Sequence, residues 1–239
     1  EKGEKISKSK GNGISIDDWL KFASKESLIL YMYQNPRRAK KLTFDVIPKA
    51  VDEYQSFSEK YPNQEVKDQL SNPVFHIHDG NPIIIESPVT FSLILNLVSA
   101  SQASSKEVIW GFIKGYFDDI SEEASQYIDQ LVVFALEYYK DFVLPTKKYR
   151  KPEKQEIEYL ETLKENLLEM ENETDPEKIQ TIIYDIGMNS HFESLKDWFS
   201  ALYEILLGQT QGPRLGSFII LYGVKEVIDL IDKAIEGKL

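Results

Sequence analysis

Near the start of the chain five ammonium and hydroxyl side chains crowd together in Lys5-Ile6-Ser7-Lys8-Ser9-Lys10-Gly11-Asn12-Gly13. Closely spaced lysines can stabilise the negative charge that develops on an α-phosphate and a departing pyrophosphate when an adenylate forms. Gly11 and Gly13 let the backbone approach phosphates and let such a loop close. A solvated, lysine-rich linker has the same composition, and residue types alone do not separate the two.

Three further groups could carry chemistry. Arg37, Arg38, Lys40 and Lys41 follow an expected helix end; they could meet phosphates or simply complement the helix dipole. His76 and His78 would share one side of a strand, with Asp79 beside them. Two histidines and one carboxylate are more often structural than a metal site, so no metal is expected. His191, Trp198, Arg214 and Phe218 could face unpaired bases, which are held by aromatic stacking and by hydrogen bonds to their exposed edges. Trp198 lies off the stripe Phe192, Leu195, Phe199, Leu202 and Leu206. Core packing is the competing reading for each aromatic.

The positioning elements are mostly helices. Ser15 or Asp17 can cap a helix through Trp19 to Tyr31, broken near Ser24 and ended by Asn35-Pro36. Residues 41–45 read as a short strand and Val46, Ala50, Val51, Tyr54 and Phe57 as a helix face. Residues 74–85 read as two extended pieces around an Asp79-Gly80-Asn81-Pro82 turn. Apolar recurrence at three and four then predicts helices over 88–102, 105–117, 121–144, 151–171, 175–188, 191–208, 214–222 and 224–236. Thr174 and Glu177 suggest a capping box, and residues 145–152 a basic linker.

With 239 residues, 42% of them hydrophobic, the chain can bury one large core or two modest ones. No apolar run approaches the roughly 20 residues of a membrane span, so a cytoplasmic protein is expected. It has no cysteine, which excludes disulfides and thiolate zinc sites. A net charge of −11 argues against nucleic acid at first sight. Yet residues 153–177 hold ten acids and two bases, so −8 of that charge sits in one helical stretch. A basic path elsewhere remains available, with Lys147, Lys148, Arg150 and Lys151 adding to it.

Residues 5–9 resemble the Lys-Met-Ser-Lys-Ser signature of class I aminoacyl-tRNA synthetases, with Ile6 in the methionine position and Lys10-Gly11-Asn12 as the usual continuation. Residues 201–209, Ala-Leu-Tyr-Glu-Ile-Leu-Leu-Gly-Gln, and 212–218, Gly-Pro-Arg-Leu-Gly-Ser-Phe, resemble the class I lysyl-tRNA synthetases. The resemblance implies a mainly α chain: the signature loop (1–13), a small α/β stem-contact fold (14–85) and an all-α helical anticodon-binding domain (86–239). It implies catalytic roles for Lys5, Ser7, Lys8 and Ser9, with Lys5 and Lys8 on the phosphates of ATP and Mg2+ in the full-length enzyme. It also implies lysine tRNA as partner, with Arg37, Arg38, Lys40 and Lys41 near the stems and His191, Trp198, Arg214 and Phe218 near the anticodon. His76-Ile77-His78-Asp79-Gly80 matches the family's His-Ile-Gly-His signature only superficially. The amino-acid pocket and nucleotide fold are therefore expected outside these residues, and this chain alone is expected to be inactive. A glutamyl-tRNA synthetase fragment and a non-catalytic helical RNA- or protein-interaction domain are the alternatives.

Overall fold

The computed structural model describes residues 14–38, 40, 42–171 and 173–239. Lys5, Ser7, Lys8, Ser9 and Lys41 lie outside the described residues. Those described form thirteen α-helices and no β-strand. They divide into two compact units, one containing the chain up to Ile94 together with Asp119–Tyr138, the other Leu95–Asp118 together with Tyr139–Leu239.

In the first unit, α1 (Ile16–Leu20) is capped by Ser15, which accepts from the Asp18 amide while Asp18 reaches back to the Ser15 amide. The reciprocal pair satisfies two of the donors that a helix start leaves open. Ser24 opens α2 (Lys25–Tyr33) by accepting from the Ser27 amide, so the break expected near Ser24 is a new N-cap. The buried Trp19 indole donates to Ser27 Oγ at 3.1 Å, fixing α1 against α2. Next come α3 (Ile47–Lys60), α4 (Val66–Ser71) and α5 (Pro73–Ile77). Leu30, Tyr54, Val74 and Ile85 form one core cluster, covered by Phe57, Tyr61, Ile77 and Tyr127. Tyr127 and Tyr138 belong to α8 (Glu122–Tyr138), and the Tyr138 hydroxyl donates to the Phe44 carbonyl at 3.2 Å. Thus α8, read from sequence with the helical part of the chain, packs inside the first unit.

Two extended readings are corrected. Residues Phe44–Val46 form a 3-10 turn leading into α3, with Pro48 in its first turn, so helix initiation overrides the alternation of Leu42 and Phe44 with polar neighbours. Asn72 caps α5 by accepting from the Val74 amide, with Pro73 at the first position. His76 is therefore helical, and the shared strand face expected for His76 and His78 does not exist. The His76 ring contacts the Leu70 carbonyl at 2.8 Å and the His78 ring the Tyr54 hydroxyl at 3.0 Å.

The second unit contains α7 (Lys106–Tyr116), α9 (Lys154–Glu169), α10 (Pro176–Met188), α11 (Leu195–Leu206), α12 (Leu215–Tyr222) and α13 (Val224–Ile235). The division between the units falls within α6 (Phe91–Ser101). Each helix buries a stripe at the 3.6-residue period, as Val224, Val227, Leu230, Ile231 and Ala234 do in α13. At the start of α10 the cap is Asp175, accepting from the Glu177 amide at 2.9 Å. The expected Thr174–Glu177 box is absent because the helix is capped one residue later than Thr174, and Glu177 pairs with Arg214.

Candidate nucleic-acid interface

At the end of α2 the chain turns through Asn35, whose φ of 48° is the left-handed conformation that asparagine tolerates. The turn leaves Arg37 and Arg38 exposed. Beside it opens a cleft of about 430 Å3 lined by Tyr31, Asn35, Arg38, Lys40, Lys49 and Glu53, among others. Lys40 donates its ammonium to the Tyr31 carbonyl and sits 4.9 Å above the Tyr31 ring. Its burial lowers its pKa. Lys49 lies 3.7 Å from Glu53 one turn away on α3, an exposed pair of little energetic weight. A phosphate can displace such a partner, and the Arg38 fork suits phosphate oxygens. Lys49 escaped the sequence reading because it stands apart from the 37–41 run. Its only signal was an exposed position on α3 facing that run.

In the second unit the four expected base-contact residues separate. Trp198 is 1% exposed, and its indole donates to the Ile183 carbonyl at 2.9 Å. Phe218 is 2% exposed and stacks on Tyr222 at 5.3 Å. Neither ring has a face open to a base, so the stacking role expected of Trp198 and Phe218 gives way to core packing. His191 is exposed and stacks against Phe192 at 4.5 Å and Tyr159 at 5.7 Å. Arg214 is exposed, but both of its terminal nitrogens engage Glu177 at 2.5 Å. It projects from the N-terminus of α12 as expected, and RNA would have to replace that carboxylate.

The basic segment 145–152 is not a free linker within its unit. The Lys148 amide donates to the Gly208 carbonyl at 3.0 Å and the Arg150 amide to the Glu204 carbonyl at 3.1 Å. Arg150 also binds Glu156 through two nitrogens at 2.8 Å and Glu204 at 2.9 Å. Glu156, otherwise raised by burial, is held below the usual carboxylate range by Arg150 and by the Glu153 amide. Lys147 donates to the Ser99 carbonyl at 2.6 Å, with the Tyr149 ring 4.8 Å away. Burial brings its ammonium down to about 8. Residues 201–209 are thus the docking rail for 147–150. Within 212–218, Gly216 is forced by packing: a Cβ there would lie 2.1 Å from the Pro176 carbonyl, while its amide donates to the Gln180 side chain at 2.9 Å.

Residues 1–81 match the family model described as tRNA synthetases class I (K). Over its whole length the chain is 51% identical to the lysine–tRNA ligases of Rickettsia felis and Rickettsia peacockii, and 50% to that of Rickettsia rickettsii. It spans about 45% of the length of each of these relatives, corresponding to their C-terminal part. The resemblance of residues 5–9 and 201–218 to class I lysyl-tRNA synthetases is therefore matched by similarity along the entire chain.

Proposed function

We propose that this chain is the tRNA-binding part of a class I lysine–tRNA ligase, which forms lysyl-adenylate from lysine and ATP and transfers lysine to its tRNA. The observation that carries this reading is the 51% identity to lysine–tRNA ligases over all of the chain. In it, Lys5 and Lys8 neutralise ATP phosphates, with Mg2+ as their companion, and Ser7 and Ser9 order the loop. Residues 14–85 meet the stems through Arg37, Arg38, Lys40 and Lys41, to which Lys49 is added. The helical remainder meets the anticodon region, with His191 and Arg214 as its exposed candidates. An apolar groove of about 590 Å3, with Ile16, Ile29 and Met32 among its lining residues, supports a role as part of a larger body. The setting is the cytoplasm.

Lysine-dependent ATP–pyrophosphate exchange tests the division of labour. Positioning the reacting groups needs both the lysine loop and an amino-acid pocket. The purified 239-residue chain is expected to show no exchange above a blank while binding lysine tRNA better than a random RNA of equal length. Robust exchange by the chain alone, or equal binding of the two RNAs, overturns the reading.

A further inference from the structure

Between α5 and α6 the residues 81–87 form neither helix nor turn. Ser58 on α3 donates its hydroxyl to the Ile83 carbonyl at 2.5 Å and accepts from the Ile85 amide at 2.9 Å. A single hydroxyl so placed takes the position that the backbone of a neighbouring parallel strand would take opposite Ile84. Successive residues of an extended chain face opposite ways, so the Ile84 N–H and C=O point away from Ser58. Neither has a hydrogen-bond partner among the described residues. The segment is therefore one paired edge with its other edge open, and Ile83 and Ile84 are 53% and 42% exposed.

Alongside that open edge lies a cavity of about 600 Å3 that includes Ile83, Ile84, Ala124 and Tyr127 in its lining. Glu26, Glu86 and Glu123 stand in the same lining, which contains no lysine or arginine. Lys25 lies 3.8 Å from Glu26 and offsets one of these charges. The buried Tyr127 hydroxyl has no hydrogen-bond partner. Open main-chain groups bind an added strand, and pockets beside them select alternate side chains. Carboxylates repel a nucleic-acid backbone and attract ammonium or guanidinium groups.

The geometry points to a docking edge for an extended peptide segment of a partner protein, with apolar side chains alternating with Lys or Arg and pairing main chain to main chain at Ile84. This goes beyond the tRNA-binding reading and uses none of its residues. The probe is a blocked synthetic heptapeptide alternating lysine and valine, added to the isotope-labelled 239-residue chain. A glutamate-for-lysine version is the control. Binding is expected to slow exchange of the Ile84 amide at least tenfold while leaving the Ile85 amide, already bonded to Ser58, unchanged. Ile84→Pro, which removes that N–H, and Glu86→Gln/Glu123→Gln are each expected to weaken binding at least fivefold. Unaltered melting temperatures would show that both variants remain folded. The inference is overturned if the glutamate peptide binds as well, if the protected amides lie elsewhere, or if either folded variant binds like the parent.

Discussion

The Trp198 indole donates to the Ile183 carbonyl at 2.9 Å, and the ring fills the space that a side chain on Gly187 would need. A Cβ built on Gly187 would lie 2.3 Å from Trp198 Cδ1. Trp198→Ala is therefore expected to cost about 3–5 kcal/mol through the cavity it leaves, and Gly187→Ala about 1–3 kcal/mol through overpacking. At roughly 2–4 °C per kcal/mol for a chain of this size, both shifts are measurable by thermal melting. If Trp198→Ala melted with the parent and lost tRNA affinity instead, the buried placement would be wrong.

The helices were legible because apolar residues recur at three and four along nearly the whole second half. Even the start of α2 could be read from Ser24. The orientation of α11 was not legible. Phe192, Leu195, Phe199, Leu202 and Leu206 make a plausible stripe, but the buried set is Trp198, Ala201, Leu202, Ile205 and Leu206. The two sets differ by about one position, or 100° of helix rotation, because α11 packs against both α10 and α13 and buries more than one stripe. One sequence pattern cannot choose between overlapping stripes when the partners are unknown. The extended readings failed for another reason. A short alternation at 41–45 and a short apolar stretch at 74–77 fit either state, and the deciding signals were Pro48 and the Asn72-Pro73 start. Arg150 was legible as a basic residue but not as a hub, since its partners Glu156 and Glu204 come from separate helices.

Arg150 holds Glu156, which is only 4% exposed, through two hydrogen bonds. Removing the arginine would strand a buried carboxylate. Arg150→Ala is expected to cost about 2–3 kcal/mol, less than for a fully buried pair because a third of the arginine side chain is open to water. The Glu156 pKa lies below its unfolded value of about 4.5. Its contribution is therefore complete above that value and lost as pH falls through the folded one. Denaturant titrations from pH 7 to pH 3 should find Glu156→Gln less stable than the parent at neutral pH, with the gap closing in acid. A gap independent of pH would mean that the charge is not what stabilises.

Lys147 supplies the opposite end of the pH range. Its folded pKa is about 8 against 10.5 in the unfolded chain, so between these values the unfolded state binds more protons. The linkage relation then makes stability rise with pH through that window, and the gain is lost as pH falls through about 8. In Lys147→Met, which keeps the unbranched chain over Tyr149 and removes the titrating amine, this rise should vanish. Stability measured from pH 7.5 to 9.5 checks it, below the range where Tyr149, pushed up to about 12 by burial, can ionise. Parallel pH profiles for parent and variant would show that the ammonium of Lys147 is not desolvated.

The Arg38 and Lys49 side chains line one cleft although eleven positions separate them in the chain. If both meet phosphates, each contact releases condensed counterions, and its loss should reduce the slope of log affinity against log salt by roughly 0.7–0.9. Arg38→Ala/Lys49→Ala should therefore flatten the slope for lysine tRNA by about 1.4–1.8. Arg214→Ala should change the slope much less, because Glu177 holds that guanidinium through both terminal nitrogens at 2.5 Å, whereas Glu53 stands 3.7 Å from Lys49 and is the easier partner for a phosphate to displace. Both substitutions lie on exposed residues, so melting temperatures should stay near that of the parent. A salt titration of tRNA binding with the three proteins decides between the two surfaces. An unchanged slope in the double variant would remove the cleft from the interface, and a larger effect at Arg214 would move the phosphate contacts to the N-terminus of α12.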